Sequence, residues 1–410
     1  MNKVLLNGFA LSTLAILAAC DSESKKEEIN IEGDIANNHA DIAYATYSDS
    51  KSAALLLQTS VNAFIVAPTE DNLLTAKSAY KAVRAPYQQS EIMRFDGIIT
   101  IGKNLNADGG PASVDAWEGQ VNAWPLDENH IKTIIAGSDD INVDLLLSQN
   151  GADDNDANVT TGIHAVEYML WGSDFNGTEA GAGERPASDF AINGMCVDSE
   201  CERRAQYLSA ATNLLVDDLT EMTDEWSPTA KITNGTLAYN FLNSPYAIDY
   251  MVGSMITMAT DELASARMGS GLGLGDPEEE HDCFSDLSHI AIYHNFQGVK
   301  NAFYGTYESA TFSVSGPNLA ALVNSKSSTT FDVIDTALTN IEDKMSKILE
   351  AGERVQNSIK FDQIIGQPSN GVERLIAENA VDELVALDTE LELMAEVLAL
   401  ENIDTEFDGD

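Results

Sequence analysis

The recurrence of apolar residues at three- and four-residue spacing constrains this chain most strongly. Such spacing gives a helix one apolar stripe that must be buried. It is clearest in five windows, which predict helices: 52–66, 71–95, 203–226, 237–267 and 372–400. Alternating runs are nearly absent, and 311–315 is about the only stretch typical of a strand. The sequence therefore predicts an all-α protein built of antiparallel helical bundles.

Loops rich in glycine and acidic residues separate the predicted helices. They lie at 104–113, 150–158, 175–186, 227–235 and 268–277. The loop after Trp226 falls near the middle of the chain. We therefore expect two helical-bundle domains, at 39–226 and 236–410.

The charge of the chain restricts its partners. It has 22 Lys and Arg residues against 66 Asp and Glu residues, a formal net charge of −44 at pH 7. Binding to nucleic acid needs clustered cationic side chains, so the composition argues against it. Its partners should be cationic, neutral or metallic.

The N-terminus has the features of an export signal. Lys3 precedes a mainly apolar run that ends at Cys20 and is too short to span a bilayer permanently. The residues at 17–20, LAAC, resemble the lipobox of bacterial lipoproteins, in which the cysteine is lipidated. This predicts a signal peptide at 1–19, lipidation of Cys20 and a tether at 20–38; the alternative is an ordinary cleaved signal peptide. Either way we expect a location outside the cytoplasm, and the lipobox places it in the cell envelope facing the periplasm, with the inner or outer membrane left open.

Three cysteines follow Cys20. An oxidising compartment favours pairing the two that are close in sequence, so we predict a disulfide between Cys196 and Cys201. Cys283 is then expected to be a buried free thiol. No Cys-x-x-Cys pair is present, which argues against a structural zinc site made of cysteines.

The most informative segment is GIHAVE at 162–167. His164 and Glu167 stand three residues apart, so a helix would place them on one face as half of a metal site. A hydrogen-bonded pair in a helix interface is the alternative. Zinc peptidases of the H-E-x-x-H and H-x-x-E-H types are not matched, because Ala165 and Tyr168 occupy the deciding positions.

Two further groups of residues contain side chains that could bind a metal ion. Arg84, Tyr87, Glu91 and Arg94 follow helical spacing and form either a salt-bridge ladder or a face that offers Glu91 as a third ligand. The second group has a high density of ligand-type side chains and predicts another cluster at Glu280, His281, Asp286 and His289. There, His281 and His289 are eight residues apart, which would be two turns on one helix face.

Several blocks of the chain together resemble the imelysin family, which includes iron-regulated envelope proteins and an insulin-cleaving membrane protease. The blocks are APYQQSE at 85–91, VNAWPLD at 121–127, GIHAVE at 162–167 and EEHDCFSD at 279–286. The resemblance extends from about residue 35 to 400. It implies a two-domain all-α fold, with the His-x-x-Glu pair at a cleft between the bundles and a role in iron handling.

The resemblance also implies a ligand set of His164, Glu167, Glu91 and Asp127. One imidazole and three carboxylates form a hard, anionic site that suits iron and tolerates zinc. The expected partners are a metal ion or chelate, the membrane through the lipid anchor, and an envelope iron transporter or receptor. Two alternatives stay open: an imelysin-type metallopeptidase, and a non-catalytic accessory protein that binds a partner or haem through His281 or His289.

Overall fold

Long helices form the framework of the chain. The computed structural model describes residues 30–94, 114–191, 196, 198–400 and 403. The α-helices are α1 (Ile31–Val66), α2 (Glu70–Ser90), α3 (Val114–Val121), α4 (Glu128–Ala136), α5 (Val143–Gln149), α6 (Gly162–Trp171), α7 (Cys201–Glu225), α8 (Leu237–Asn243), α9 (Ala247–Thr257), α10 (Ser270–Leu274), α11 (Ser288–Tyr304), α12 (Leu319–Lys326), α13 (Ser328–Gly352), α14 (Phe361–Gly366) and α15 (Val372–Leu398). The predicted all-α class is confirmed.

The remaining regular structure is short. A π-helix at Met258–Gly269 continues α9. Single 3₁₀ turns lie at Glu91–Met93, Ala152–Asp154, Ala187–Phe190, Ala230–Ile232 and Pro277–Glu279. Strands β1 (Thr306–Glu308) and β2 (Ser313–Ser315) pair as an antiparallel hairpin, which includes the stretch predicted as strand.

The apolar stripes are buried where helices pack in pairs. Helix α15 packs against α13 and against the π-helix. Its buried residues alternate between three- and four-residue steps: Ala377, Ala380, Leu384, Leu387, Leu391, Met394 and Leu398. Burial of each large aliphatic side chain contributes about 1.5–3 kcal/mol. This packing explains why 372–400 was predictable as a helix from spacing alone.

Helix α2 connects two groups of helices. It packs along α1 and also along α11, which comes more than 200 residues later in the chain. The contact with α11 is close at Gly298, where an added Cβ would lie 2.9 Å from the carbonyl oxygen of Gln89. From Ile31 onward the chain forms one compact unit. The division into domains at 39–226 and 236–410 stays a prediction.

Several predicted boundaries differ from the structure, and three of the differences are the largest in consequence. The predicted helix 237–267 is interrupted after Asn243, because the residue before Pro245 is disfavoured in helical conformation. The predicted loop 268–277 contains helix α10. Helix α1 begins at Ile31, inside the predicted tether 20–38, since Ile35 and Ala36 are already buried.

The cysteine predictions within the described residues are confirmed. Cys196 and Cys201 form a disulfide with their Cα atoms 5.8 Å apart, at the start of α7. Cys283 is a buried free thiol. The predicted signal peptide 1–19 and the lipidation site Cys20 lie outside the described residues. Among the helices that are described, none has the length and apolar character of a membrane span.

Candidate metal centre

The His-x-x-Glu pair lies on α6, a helix in which every side chain is buried. His164 Nδ1 is 2.9 Å from Glu167 Oε2, and both side chains are 0% exposed. The helix begins at Gly162, whose φ of +76° suits glycine. A Cβ at that position would lie 2.3 Å from the carbonyl oxygen of Val121, so the close approach of α3 also requires glycine.

The segment 280–286 closes over this pair. Ser285 donates two hydrogen bonds to Glu167 Oε1, from its backbone nitrogen at 2.9 Å and from Oγ at 2.6 Å. The segment is itself held by backbone contacts: the Gly183 nitrogen donates to the Phe284 carbonyl oxygen, and the Asp282 nitrogen donates to Ser288 Oγ. These bonds fix the Glu167 carboxylate, and through it the His164 ring.

Asp282 brings a second carboxylate to the centre. His164, Glu167 and Asp282 each offer a ligand atom within 4.8 Å of those of the other two, and all three residues are buried. Arg84 from α2 donates to Asp282 at 2.8 Å, in an ion pair whose partners are both 0% exposed. The centre therefore combines one imidazole, two carboxylates and one guanidinium.

Aromatic rings enclose the imidazole. The His281 ring centroid lies 4.5 Å from that of His164 in an edge-on arrangement, and the Trp124 ring centroid lies 5.1 Å away. His281 Nδ1 is 3.4 Å from Arg84 Nη2. The sequence placed His281 in a separate cluster, whereas the structure brings it to the His164 centre.

Burial sets the charge state of the pair. It lowers the pKa of His164 to about 3, which keeps the imidazole neutral. Burial, together with the nearby Asp282 carboxylate, raises the pKa of Glu167. A cation would reverse this preference, because its charge would favour the ionised carboxylate.

The second ring nitrogen of His164 shows whether these residues could hold a metal ion. His164 Nε2 is buried and makes no hydrogen bond with any described group. Metal-bound histidines typically present one ring nitrogen to the metal while the other bonds to a carboxylate, which is the role of Glu167 Oε2 here. The residues fit a metal that binds His164 Nε2, with Glu167 orienting the ring through Nδ1 and Asp282 as the second carboxylate of the cluster.

Glu91 lies beside this centre in a separate network. It accepts from Arg267 at 2.7 and 3.2 Å, from Asn295 at 2.6 Å and from Asn122 at 2.7 Å. Although burial alone would raise its pKa, the Arg267 guanidinium holds the pKa of Glu91 well below its usual value. All four of its hydrogen bonds would compete with a metal for the Glu91 oxygens.

The other polar side chains on the helix face of Arg84 are also buried, and they pair with side chains of other helices. Tyr87 donates to Glu118 Oε2 at 3.1 Å, and Arg94 pairs with Glu262 of the π-helix. The predicted alternative of a salt-bridge ladder is correct in that the charges are paired. The face is an interface between helices rather than a surface, because its partners come from other elements.

Asp127 has a capping role. Its side chain accepts a hydrogen bond from the Asn129 nitrogen at 2.9 Å, at the N-cap of α4. It does not belong to the cluster formed by His164, Glu167 and Asp282. Of the four residues nominated as ligands, the structure brings His164 and Glu167 together, places Glu91 in the adjacent network and uses Asp127 as a cap.

The four residues of the predicted second cluster do not lie together in the structure. Glu280 and Asp286 lie together with Asp362 of α14, all three buried. Burial raises the pKa of Asp286 to about 8 and that of Asp362 to about 7. His289 is elsewhere, with Nε2 2.9 Å from Glu353. The expectation that two helical turns join His281 to His289 is wrong, because α11 begins only at Ser288.

Sequence reasoning did not nominate Asp282, Ser285 or Asp362. Asp282 and Ser285 lie inside the acidic segment 278–289, and its density of polar residues is the signal that could have identified them. Asp362 lies more than 70 residues downstream of that segment. Only the packing of α14 against this segment brings it to the cluster.

Comparisons with known proteins agree with this architecture. The family model described as Imelysin (Peptidase M75) matches residues 43–391. The fold is similar to a crystal structure of a candidate iron-regulated protein A precursor from Parabacteroides distasonis, with a TM-score of 0.63, 18% identity, and coverage of 91% of this chain and 97% of that one. It is also similar to an imelysin-like protein from Psychrobacter arcticum, with a TM-score of 0.58, 14% identity, and coverage of 93% and 99%. No curated protein matches the chain.

Proposed function

This chain belongs to the imelysin family, and from that premise we propose that it is a cell-envelope lipoprotein that binds a metal ion, with iron as the cargo, for uptake or handling. The membrane attachment rests on the LAAC segment at 17–20. The Parabacteroides distasonis neighbour is named as an iron-regulated protein, which supports iron as the ion for this chain.

The observation that carries the proposal is the buried Nε2 of His164, which has no hydrogen-bond partner in the part of the chain that the structure describes. A buried polar atom without a partner costs free energy, about 1–3 kcal/mol. A bound metal would satisfy this atom, and the nearby Glu167 and Asp282 carboxylates would neutralise the charge of the metal.

The ligand types favour a hard or borderline cation. Carboxylate oxygens and one imidazole suit ferrous, ferric or zinc ions, and among the described residues no cysteine belongs to the cluster. The net charge of −44 would attract cations toward the protein at low ionic strength. This makes iron the first ion to test and zinc the second.

Burial of the pair favours an ion over a polypeptide as the ligand. His164 and Glu167 are 0% exposed, and the segment 280–286 covers them. A peptide bond would need this segment to move before it reached the imidazole. Chelator-sensitive cleavage of a peptide by the purified protein would instead support the metallopeptidase alternative.

A titration of the metal-stripped protein with ferrous and zinc ions tests the proposal. Wild-type protein should bind one ion tightly, and His164→Ala should lose that binding while its helical circular dichroism stays unchanged. The matched control is His130→Ala, because His130 is part-buried, contacts the Gln149 carbonyl and lies outside the cluster. Equal binding by the wild type and His164→Ala would overturn the assignment.

A further inference from the structure

The buried carboxylates of Glu280, Asp286 and Asp362 form the strongest feature outside the His164 centre. One oxygen from each lies within 4.8 Å of the others. The three side chains are only 1%, 3% and 1% exposed. Three buried acids at this separation repel one another unless protons or a cation compensate them.

The hydrogen bonding of these carboxylates points to a missing ligand. Glu280 Oε2, Asp286 Oδ1 and both oxygens of Asp362 are buried and make no hydrogen bond of standard geometry with any described group. Buried carboxylate oxygens are normally satisfied by donors. Four such atoms in one cluster are therefore an observation independent of the number of acids.

The nearest cation does not neutralise the cluster directly. Lys360 stands two residues before Asp362, yet its Nζ lies 3.5 Å from Glu353 Oε1 and 3.4 Å from His289 Nε2. The N-terminus of α14 also approaches Asp362, which lies in its first turn. Lys360 donates no hydrogen bond to the unpartnered oxygens. The backbone nitrogens of Asp362 and Gln363 lower the pKa of Asp362 but form no hydrogen bond of standard geometry with it.

We propose that Glu280, Asp286 and Asp362 form a second metal site, made only of carboxylates and selective for a hard divalent cation such as calcium. Calcium binds oxygen ligands at about 2.3–2.6 Å, so two oxygens on opposite sides of one ion are at most about 5 Å apart. The observed separations fall within this limit. With no imidazole or sulfur, the site differs in chemistry from the His164 centre.

The position of this site in the chain gives it a structural role. Glu280 and Asp286 are at the two ends of the segment that supplies Asp282 and Ser285 to the His164 centre, and Asp362 is on α14. A cation at the cluster would attach this segment to α14. The second site itself does not depend on metal binding at His164.

Calcium binding to the full chain tests the inference, using wild type, Asp362→Asn and the exposed control Asp382→Asn. Isothermal titration with calcium chloride in 0.5 M salt should give one site in wild type and in Asp382→Asn. Asp362→Asn should bind at least about tenfold more weakly, because it removes one charged ligand. The double variant His164→Ala/Glu167→Ala should keep calcium binding, which separates this site from the first.

Thermal unfolding provides the second readout. Calcium should raise the Tm of wild type and of Asp382→Asn. Asp362→Asn should show a Tm without calcium at least as high as that of wild type, since the repulsion is reduced, and little change when calcium is added. Equal calcium affinity in wild type and Asp362→Asn, or no binding by wild type, would overturn the proposal.

Discussion

His164 Nδ1 lies 2.9 Å from Glu167 Oε2, one helical turn away on α6, with both side chains fully buried. Glu167 in turn is held by Ser285, which comes from a segment more than 100 residues downstream. This chain of contacts fixes the orientation of the imidazole and leaves Nε2 available. The carboxylate is therefore expected to act on the metal largely through His164.

Substitution Glu167→Gln tests this positioning role. The amide keeps the volume of the side chain but cannot supply the negative charge, so metal affinity should fall about 10- to 100-fold. Titration with ferrous and zinc ions measures the change, and Glu392→Gln on the exposed face of α15 is the control. Unchanged affinity in Glu167→Gln would show that the carboxylate contributes neither orientation nor charge.

Removal of the Arg84 guanidinium should destabilise the fold. Arg84 and Asp282 form an ion pair with both side chains 0% exposed. Arg84→Met leaves a buried carboxylate without its partner, which costs about 3–5 kcal/mol of the free energy of unfolding. Urea denaturation measures this cost.

The control for Arg84 is the exposed pair of Lys347 and Asp343, 50% and 61% exposed. Lys347→Met should change stability by less than about 1 kcal/mol, because exposed pairs are weak. The double variant Arg84→Met/Asp282→Asn should recover much of the loss. A loss of equal size in the double variant would mean that packing, rather than unpaired charge, is the cause.

Gly162→Ala should disturb both stability and metal binding. The residue has a φ of +76°, and its added Cβ would lie 2.3 Å from the Val121 carbonyl oxygen, so α6 or α3 must shift. Backbone strain of this kind costs about 1–3 kcal/mol, and a shift of α6 moves His164. Thermal unfolding and metal titration measure the two effects.

Gly119→Ala is the matched control, because an added Cβ there would have no atom of the described residues within 4 Å. Gly119 lies on α3, where alanine is the better helix former. This variant should keep or raise the stability of the protein. A Gly162→Ala variant that behaved in the same way would contradict the close packing of α3 against α6.

The buried Asp218 should make the free energy of unfolding depend on pH. Gln120 donates to its Oδ1 at 2.6 Å, Oδ2 has no hydrogen-bond partner among the described residues, and burial raises its pKa from about 3.8 to about 7. Between these values the folded state holds a proton that the unfolded state has lost, so Asp218 lowers stability as pH rises from 4 to 7. Asp218→Asn removes this effect.

The expected gain for Asp218→Asn is about 4 kcal/mol at pH 8 and less than about 1 kcal/mol at pH 4. Denaturation at both values measures it, and the exposed neighbour Asp217→Asn is the control. A gain of the same size at pH 4 and pH 8 would show that the carboxyl group of Asp218 titrates normally in the folded protein.

Sequence patterns predicted the structure correctly where the contact joins residues close together in the chain. The spacing of apolar residues identified α15 almost to its ends, and the spacing of His164 and Glu167 predicted a pair on one helix face. Proximity in the chain also identified the Cys196–Cys201 disulfide. The ligand assignment for Asp127 followed family resemblance, whereas its side chain caps α4.

The sequence by itself determined the helical class and the His164–Glu167 pair, because helical periodicity is a property of neighbouring residues. Only the tertiary structure decided what surrounds the pair. Asp282 pairs with Arg84 across 198 positions, and Glu91 pairs with Arg267 across 176. The partner of a buried charge is chosen by which helices pack together, and that depends on the whole core.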